Sequence, residues 1–297
     1  MNNISLKPWS LGTEAIDIIQ EVEELFEEKD LCFGHGTDNP LDEAMALVFF
    51  ALGADYPYRE KSSSIKVSNQ GYSFITKLVN QRIFEKKPLP YLTQEAFFCG
   101  HKFYVDERVL IPRSPIAELI RNQFSPWVTA NSVQCVLDIA TGSGCLAIAI
   151  AKIFPDAEVI ASDVSKEALE VAKINIDKLS VGEQVTLVES DLFENIEGEF
   201  DLIVSNPPYV NPESYEDLPV EYLHEPDLAL IAASNGLDFI ARILHDAPPF
   251  LKEDGIMALE MGEAAKAAEE TLEYPFKWIE LENGGEGVAV IDAKHLK

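Results

Sequence analysis

Asn206-Pro207-Pro208-Tyr209 sets two carbonyl acceptors and an aromatic ring within four residues. Neither proline carries an N–H, so no adjacent donor occupies the Pro207 carbonyl, and the fixed φ of both stiffens the loop. The Asn206 side chain adds a second acceptor beside it. Such a pair suits a planar –NH2 group, with Tyr209 stacked on its face. An amide nitrogen needs this help because its lone pair is delocalised; the ~18–20 kcal/mol rotation barrier measures that resonance. Holding both N–H bonds aims the nitrogen at an electrophile and stabilises positive charge as it develops. Asn206, Pro207 and Tyr209 are therefore the candidate catalytic group, and Asn206 to Tyr209 together the candidate substrate cradle. The plainer alternative is a proline turn that merely ends a strand.

A second constellation lies upstream in "VLDIATGSGCLAIAIA", which reads as a buried strand, a tight turn and a helix. Gly142 and Gly144 lack side chains, so their backbone can approach a ligand beside the free N–H groups of a helix start. Asp163 ends the next strand, twenty-one residues after Gly142, where an acid can accept from both ribose hydroxyls of an adenosine. Asp191 follows the third strand and suits an adenine amino group or a helix cap. Taken alone, Gly142, Gly144, Ala147 and the acid equally fit a nicotinamide dinucleotide. The two constellations together discriminate. A hydride-transfer enzyme has no use for an –NH2 cradle. S-adenosylmethionine, an adenosine carrying a methyl sulfonium, needs one if its methyl goes to nitrogen, leaving S-adenosylhomocysteine.

The elements around these residues belong to an α/β domain. "CVLDIA", "EVIAS", "VTLVE" and "FDLIVS" are apolar strands, with amphipathic helices after the first two, the pattern of a mainly parallel sheet covered on both faces. In such a sheet the Gly loop, Asp163, Asp191 and Asn206 all fall at the carboxyl edge, where ligands bind. "WIELENGGEGVAVIDA" predicts a hairpin about Asn283-Gly284-Gly285 and hence an antiparallel terminal strand. The chain divides into a helical domain over 1–92, a β-hairpin linker over 93–112 with its turn at Gly-His-Lys, and an α/β domain over 113–297. In the first, "TEAIDIIQEVEELFEE" puts Ile16, Ile19, Val22 and Phe26 on one stripe. "DNPLDEAMALVFFALG" opens a helix with Asn39 as N-cap and Pro40 at the first position, and Gly53 ends it. A third helix is predicted from about Asn69 to Lys86.

The 297 residues carry 51 Asp and Glu against 23 Lys and Arg, a net charge of −28. Residues 1–112 hold 11 basic and 17 acidic groups, so most of the excess falls in the α/β part. A phosphate backbone would be repelled there, which disfavours direct nucleic-acid binding and favours a basic protein partner. An acidic solubilising surface explains the charge equally well. Cys32, Cys99, Cys135 and Cys145 form no CxxC pair, so buried free thiols are expected, with no metal and no disulfide. No apolar run is long enough to span a membrane, and "MNNISLKPWS" lacks a signal core, so the expected location is the cytoplasm.

"DIATGSG", "ASDVS", "SDLF" and "VSNPPYV" together resemble the glutamine-specific protein methyltransferases, over nearly the whole chain. That family modifies the side-chain amide nitrogen of glutamine in release factors or in a ribosomal protein. NPPY by itself is shared with enzymes that methylate adenine amino groups in DNA. "FGHGTDNPLDEA" (33–44) and "FFCGHKFYVDERVLIPRSPIAELI" (97–120) look like the branch acting on large-subunit ribosomal protein L-three. The release-factor branch usually carries Pro-Glu-Thr-Glu after its Ile-Pro-Arg, where this chain has Ser114-Pro115-Ile116-Ala117.

The resemblance implies a class I S-adenosylmethionine-dependent methyltransferase fold. This is Rossmann-like: a doubly wound, mainly parallel seven-stranded sheet with an antiparallel terminal strand, plus a helical domain that recognises the protein substrate. It also implies that Ala140, Thr141, Gly142, Ser143 and Gly144 wrap the methionine part of the cofactor. Asp163 then takes the ribose and Asp191 and Leu192 the adenine, with Asn206 beside the cofactor. Asn206 to Tyr209 hold the substrate glutamine, with no metal involved. Ala140 stands where the wider family has glycine, and Leu192 where some relatives have an aromatic. Arg113 and Glu118 suit a lid or a structural ion pair.

Overall fold

The computed structural model describes residue 6 and residues 12–54, 65–282 and 284–296. Most of the N-terminal decapeptide and Asn283, at the centre of the expected terminal turn, lie outside them. Contacts divide the chain into two units: residues up to 95 with 219–224, and residues 96–218 with 225–297.

The first unit is helical. Helices α1 (Ala15–Glu28), α2 (Pro40–Ala51) and α3 (Asn69–Phe84) surround one apolar core. The α2 start follows its sequence: the Asn39 side chain accepts from the Asp42 N–H, and Gly53 adopts φ +65 beyond the last turn. Along α1 the buried apolar residues are Ala15, Ile18, Ile19, Val22 and Phe26. Ile16, expected on that stripe, is exposed, and Ile18 takes its place, because at 100° per residue position 16 falls outside the arc of 15, 18, 19, 22 and 26. At the centre of the unit Arg82, 1% exposed, is held by Glu43, by Glu221 at 3.0 Å and by the Cys32 carbonyl at 2.7 Å. Thr37 donates to Glu43 at 2.9 Å, so "FGHGTDNPLDEA" supplies half of this buried network. An unpaired guanidinium there would be prohibitively desolvated, which makes the two carboxylates obligatory partners.

The second unit begins with strands β1 (Glu95–Phe98) and β2 (His101–Tyr104), a two-stranded sheet. Its turn falls at Cys99-Gly100, both with positive φ, and not at the Gly-His-Lys step; His101 and Lys102 already belong to β2. The helix α4 (Ile116–Arg121) leads into the main sheet of β3 (Cys135–Ile139), β4 (Glu158–Asp163), β5 (Val185–Glu189), β6 (Phe200–Ser205), β7 (Leu251–Glu260), β8 (Lys277–Trp278) and β9 (Val288–Asp292). Their order is β5-β4-β3-β6-β7-β9-β8. β3 to β7 run parallel, and β9 is antiparallel to both β7 and β8. The last strand in the chain is therefore antiparallel as expected, but it lies inside the sheet, with β8 at the edge.

Alternation along the strands builds two cores. Val136, Leu202, Val204, Ile256 and Val290 face one layer, with helix α5 (Cys145–Ile153) and Ile176 of α6 (Lys166–Lys178). Leu137, Ile139, Ile203, Met257, Leu259 and Ile291 face the other, with α7 (Asp238–Asp246) and α8 (Ala265–Thr271). Each fully buried Leu or Ile contributes about 1.5–3 kcal/mol, and a strand slipped by one residue would send each side chain into the core packed for the other set. The four cysteines are free and only partly buried. Among the described residues no helix is long and apolar enough to cross a membrane.

Candidate active site

Strand order reverses between β3 and β6, and a cavity opens at their carboxyl ends, where a doubly wound sheet places its ligands. Ala140, Thr141, Gly142, Ser143, Asp163, Asp191, Leu192, Asn206, Pro207 and Pro208 all line it. Gly144 and Tyr209 stand behind the wall.

The loop after β3 alternates handedness, with φ +58 at Ala140, +53 at Gly142 and +79 at Gly144. Ala140 thus holds a left-handed conformation that costs an L-residue roughly 1–2 kcal/mol, the physical reason a glycine suits this position. A Cβ at Gly142 would meet nothing within 4 Å, so its backbone is open. A Cβ at Gly144 would crowd Ala172 at 3.2 Å and Ile148 at 3.3 Å; this glycine serves helix packing. Asp163 reaches back to the loop, accepting from Gly142 N–H at 2.9 Å through Oδ2 and from Ser165 N–H at 2.9 Å through Oδ1. Burial raises its pKa, and the N–H groups of Ser165 and Gly142 oppose that rise.

Asp138 and Asn175 are site residues that motif reading passed over. Asp138 lies fully buried in β3; its Oδ2 accepts from the Thr141 hydroxyl at 2.5 Å and from the Ala147 N–H at 3.0 Å. It therefore caps the start of α5, one of whose N–H groups was expected to be free. Its Oδ1 has no partner among the described residues, and burial pushes the carboxyl up to about 7. Asn175 donates to the Ser143 carbonyl at 2.9 Å and to the Tyr104 carbonyl at 3.0 Å, and accepts from the Tyr104 N–H. A signal existed: on α6 it occupies a core position, in series with Ala168, Val171 and Ala172.

The Asp138 carboxyl sets a pH dependence. Its folded-state pKa of about 7 lies above the ~3.9 of an unperturbed Asp, so between those values the folded chain binds the proton more tightly. The contribution to stability is complete below the lower value and is lost as pH rises through the upper one. Asp138→Asn keeps an acceptor but cannot ionise. Its Tm should fall less than that of the wild type between pH 5 and pH 8, by calorimetry in matched buffers; parallel profiles would show that Asp138 does not titrate there.

On the opposite wall β6 ends at Ser205, whose hydroxyl donates to the Ile139 carbonyl at 2.8 Å and ties the two strand ends together. Among the described residues no protein group bonds the Asn206 amide or the Pro207 carbonyl. Beyond them Val210 pairs with Ile231, through Val210 N–H to Leu230 O at 2.9 Å and Ala232 N–H to Val210 O at 2.8 Å. The loop is stiff at both ends and open between them. Tyr209, expected to stack on the –NH2 group, is half-buried off the cavity wall and donates to Glu260 at 3.0 Å. Burial and the Glu260 carboxylate push its hydroxyl pKa up, so it stays protonated. Asp191 pairs with Arg242 at 3.0 Å. Arg113 forms a two-pronged ion pair with Glu225, 2.6 Å at each prong, and Glu118 accepts the Glu282 N–H at 3.1 Å.

This geometry defines an α/β domain with a nucleoside-type loop and an open pair of acceptors at one sheet edge, and comparison with known proteins agrees. Residues 124–224 match the model of the methyltransferase small domain. The chain is 43% identical over 267 residues to the ribosomal protein uL3 glutamine methyltransferase of Francisella tularensis, covering 89% of this chain and 85% of that one. With the enzyme of the same name from Neisseria meningitidis serogroup B it shares 44% over 273 residues, 91% of this chain and 90% of that one. The chain belongs to the family of ribosomal protein uL3 glutamine methyltransferases. The fold is also similar to the hMettl16 catalytic domain, solved in complex with the MAT2A 3'UTR hairpin 6, with a TM-score of 0.52 at 15% identity over 64% of this chain and 75% of that one.

Proposed function

We propose that this chain transfers the methyl group of S-adenosylmethionine to the side-chain amide nitrogen of a glutamine in ribosomal protein uL3. The carrying observation is that the Asn206 amide and Pro207 carbonyl, two acceptors with no donor among the described residues, stand on the same cavity as the Gly142 loop and Asp163. The residues fit the cofactor: Gly142 leaves space where a side chain would intrude, and an acid faces the loop from the next strand. Ala140 to Ser143 hold the amino-acid part, Asp163 the ribose, and Asp191 with Leu192 the base. When bound, the cofactor supplies an electrophilic methyl on a sulfonium. Asn206 and Pro207 accept the two amide N–H bonds, orient the nitrogen lone pair and stabilise positive charge on it until the methylated, now acidic nitrogen loses one proton to water. Tyr209, behind the wall, holds the loop in place through its hydroxyl bond to Glu260. The helical unit recognises the protein substrate, and a ribosomal-protein substrate puts the reaction in the cytoplasm.

The test is transfer of labelled methyl to purified uL3, to a release factor and to ribosomal RNA in parallel. Label on a uL3 glutamine, located by mass spectrometry, is expected. Label on RNA or the release factor alone would refute the assignment. A ribosomal protein that binds RNA is basic, and this chain carries −28, so kcat/KM for uL3 should fall steeply with ionic strength. Cofactor affinity should change far less. Equal salt responses would leave the acidic surface a solubility feature.

A further inference from the structure

Glu260 ends β7 at the same sheet edge and is 4% exposed, yet it lies outside the cavity wall. Both its oxygens are taken. Oε2 accepts the Ser114 hydroxyl at 2.5 Å, and Oε1 accepts the Tyr209 hydroxyl at 3.0 Å. Ser114 is just as buried, and its hydroxyl direction is set: its oxygen accepts the Ile116 N–H at 3.2 Å while its proton goes to Glu260. The Tyr209 ring lies against Gly262, where a Cβ would approach Cε2 and Cζ at 2.4 and 2.6 Å. The Tyr209 carbonyl occupies the space of a Cβ on Gly236, at 2.1 Å. Gly262 thus admits the ring on one side, Gly236 admits the backbone carbonyl of the same residue, and the hydroxyl tether fixes the far end of the ring.

Such a tether is expensive to build. A carboxylate buried to this extent loses solvation, and two hydroxyl donors with nearby Arg113 are what offset that loss. Nothing in the packing of β7 requires a charge there, since Ile256, Ala258 and Leu259 before it are plain core residues. What the arrangement yields is a fixed Tyr209.

We propose that Ser114 and Glu260 are positioning residues that hold the Tyr209 ring in register with the amide-binding loop during methyl transfer, an inference that rests on the glutamine-methyltransferase reading above. Ser114 acts through Glu260, and Glu260 through Tyr209. A displaced ring lets the Asn206–Pro207 acceptors meet a misaligned amide, and small misplacements of a reacting group slow a reaction strongly.

A double-mutant cycle in the full chain tests the relay. Ser114→Ala should lower kcat on uL3 by ~10-fold, the scale of one hydrogen bond to a charged group, and leave S-adenosylmethionine Kd within about twofold. Tyr209→Phe should lower kcat by at least as much. The double variant should be no slower than Tyr209→Phe alone, since Ser114 then has no route to the ring. A Ser114→Ala loss that multiplies in full onto that of Tyr209→Phe, or wild-type kcat in Ser114→Ala, overturns the relay. The tether is also read without turnover. In protein labelled with 3-fluorotyrosine, the resonance missing from Tyr209→Phe should shift in Ser114→Ala and in Glu260→Gln. An unmoved resonance in both overturns the relay whatever the activity. A shifted resonance in a chain that methylates no glutamine overturns the functional reading instead, and with it the catalytic part of this proposal.

Discussion

Replacing Asn206 by alanine is expected to lower methyl transfer to uL3 by at least ~10²-fold, the usual scale for losing one preorganised electrostatic contact. The amide of Asn206 lines the cavity and has no bond to another of the described residues, so its removal breaks none there. Folding should be nearly unaffected, and Tm is the control. The loss should fall on kcat more than on cofactor Kd, because positive charge on the substrate nitrogen exists only in the transition state. Asn206→Asp restores an acceptor but adds a charge and removes the side-chain –NH2; it should not recover full activity. Near wild-type turnover by Asn206→Ala, measured with saturating cofactor, would remove the cradle from the mechanism.

Asp163→Ala should weaken S-adenosylmethionine and S-adenosylhomocysteine alike, by ~10-fold or more. Each hydrogen bond from a ribose hydroxyl to a carboxylate is worth roughly 1.5–3 kcal/mol. The structure adds a second route to the same loss. Asp163 also accepts the Gly142 N–H, so alanine frees the loop that lines the cavity. Asp163→Asn keeps one carbonyl acceptor and should fall between the two. Equal weakening of substrate and product distinguishes this residue from Asn206, whose effect belongs to the transferring methyl. Calorimetry giving wild-type affinities for both ligands would reduce Asp163 to a strand-end cap on Ser165.

Local order decided how much could be read in advance. The strand–turn–helix at Gly142, the acid at the next strand end and the Asn-Pro-Pro-Tyr stop are each contiguous, and each has a backbone reason: free φ, a strand terminus, a missing N–H. Apolar periodicity then forced a parallel sheet, and a parallel sheet brings those three stretches to one edge. The sequence by itself therefore determined the fold class and which stretches gather at the candidate site. It could not determine the partners of buried polar groups. Glu260 meets Ser114 across 146 residues, and Arg82 meets Glu221 across 139. Periodicity says that a position is buried, not which strand or loop will lie beside it. That depends on the order β5-β4-β3-β6-β7-β9-β8 and on β9 entering between β7 and β8. Asp138, Asn175 and Glu260 read in sequence as ordinary polar residues on apolar elements. Only the packed structure shows the two loops they hold, because a buried hydrogen bond takes its value from the water that packing excludes.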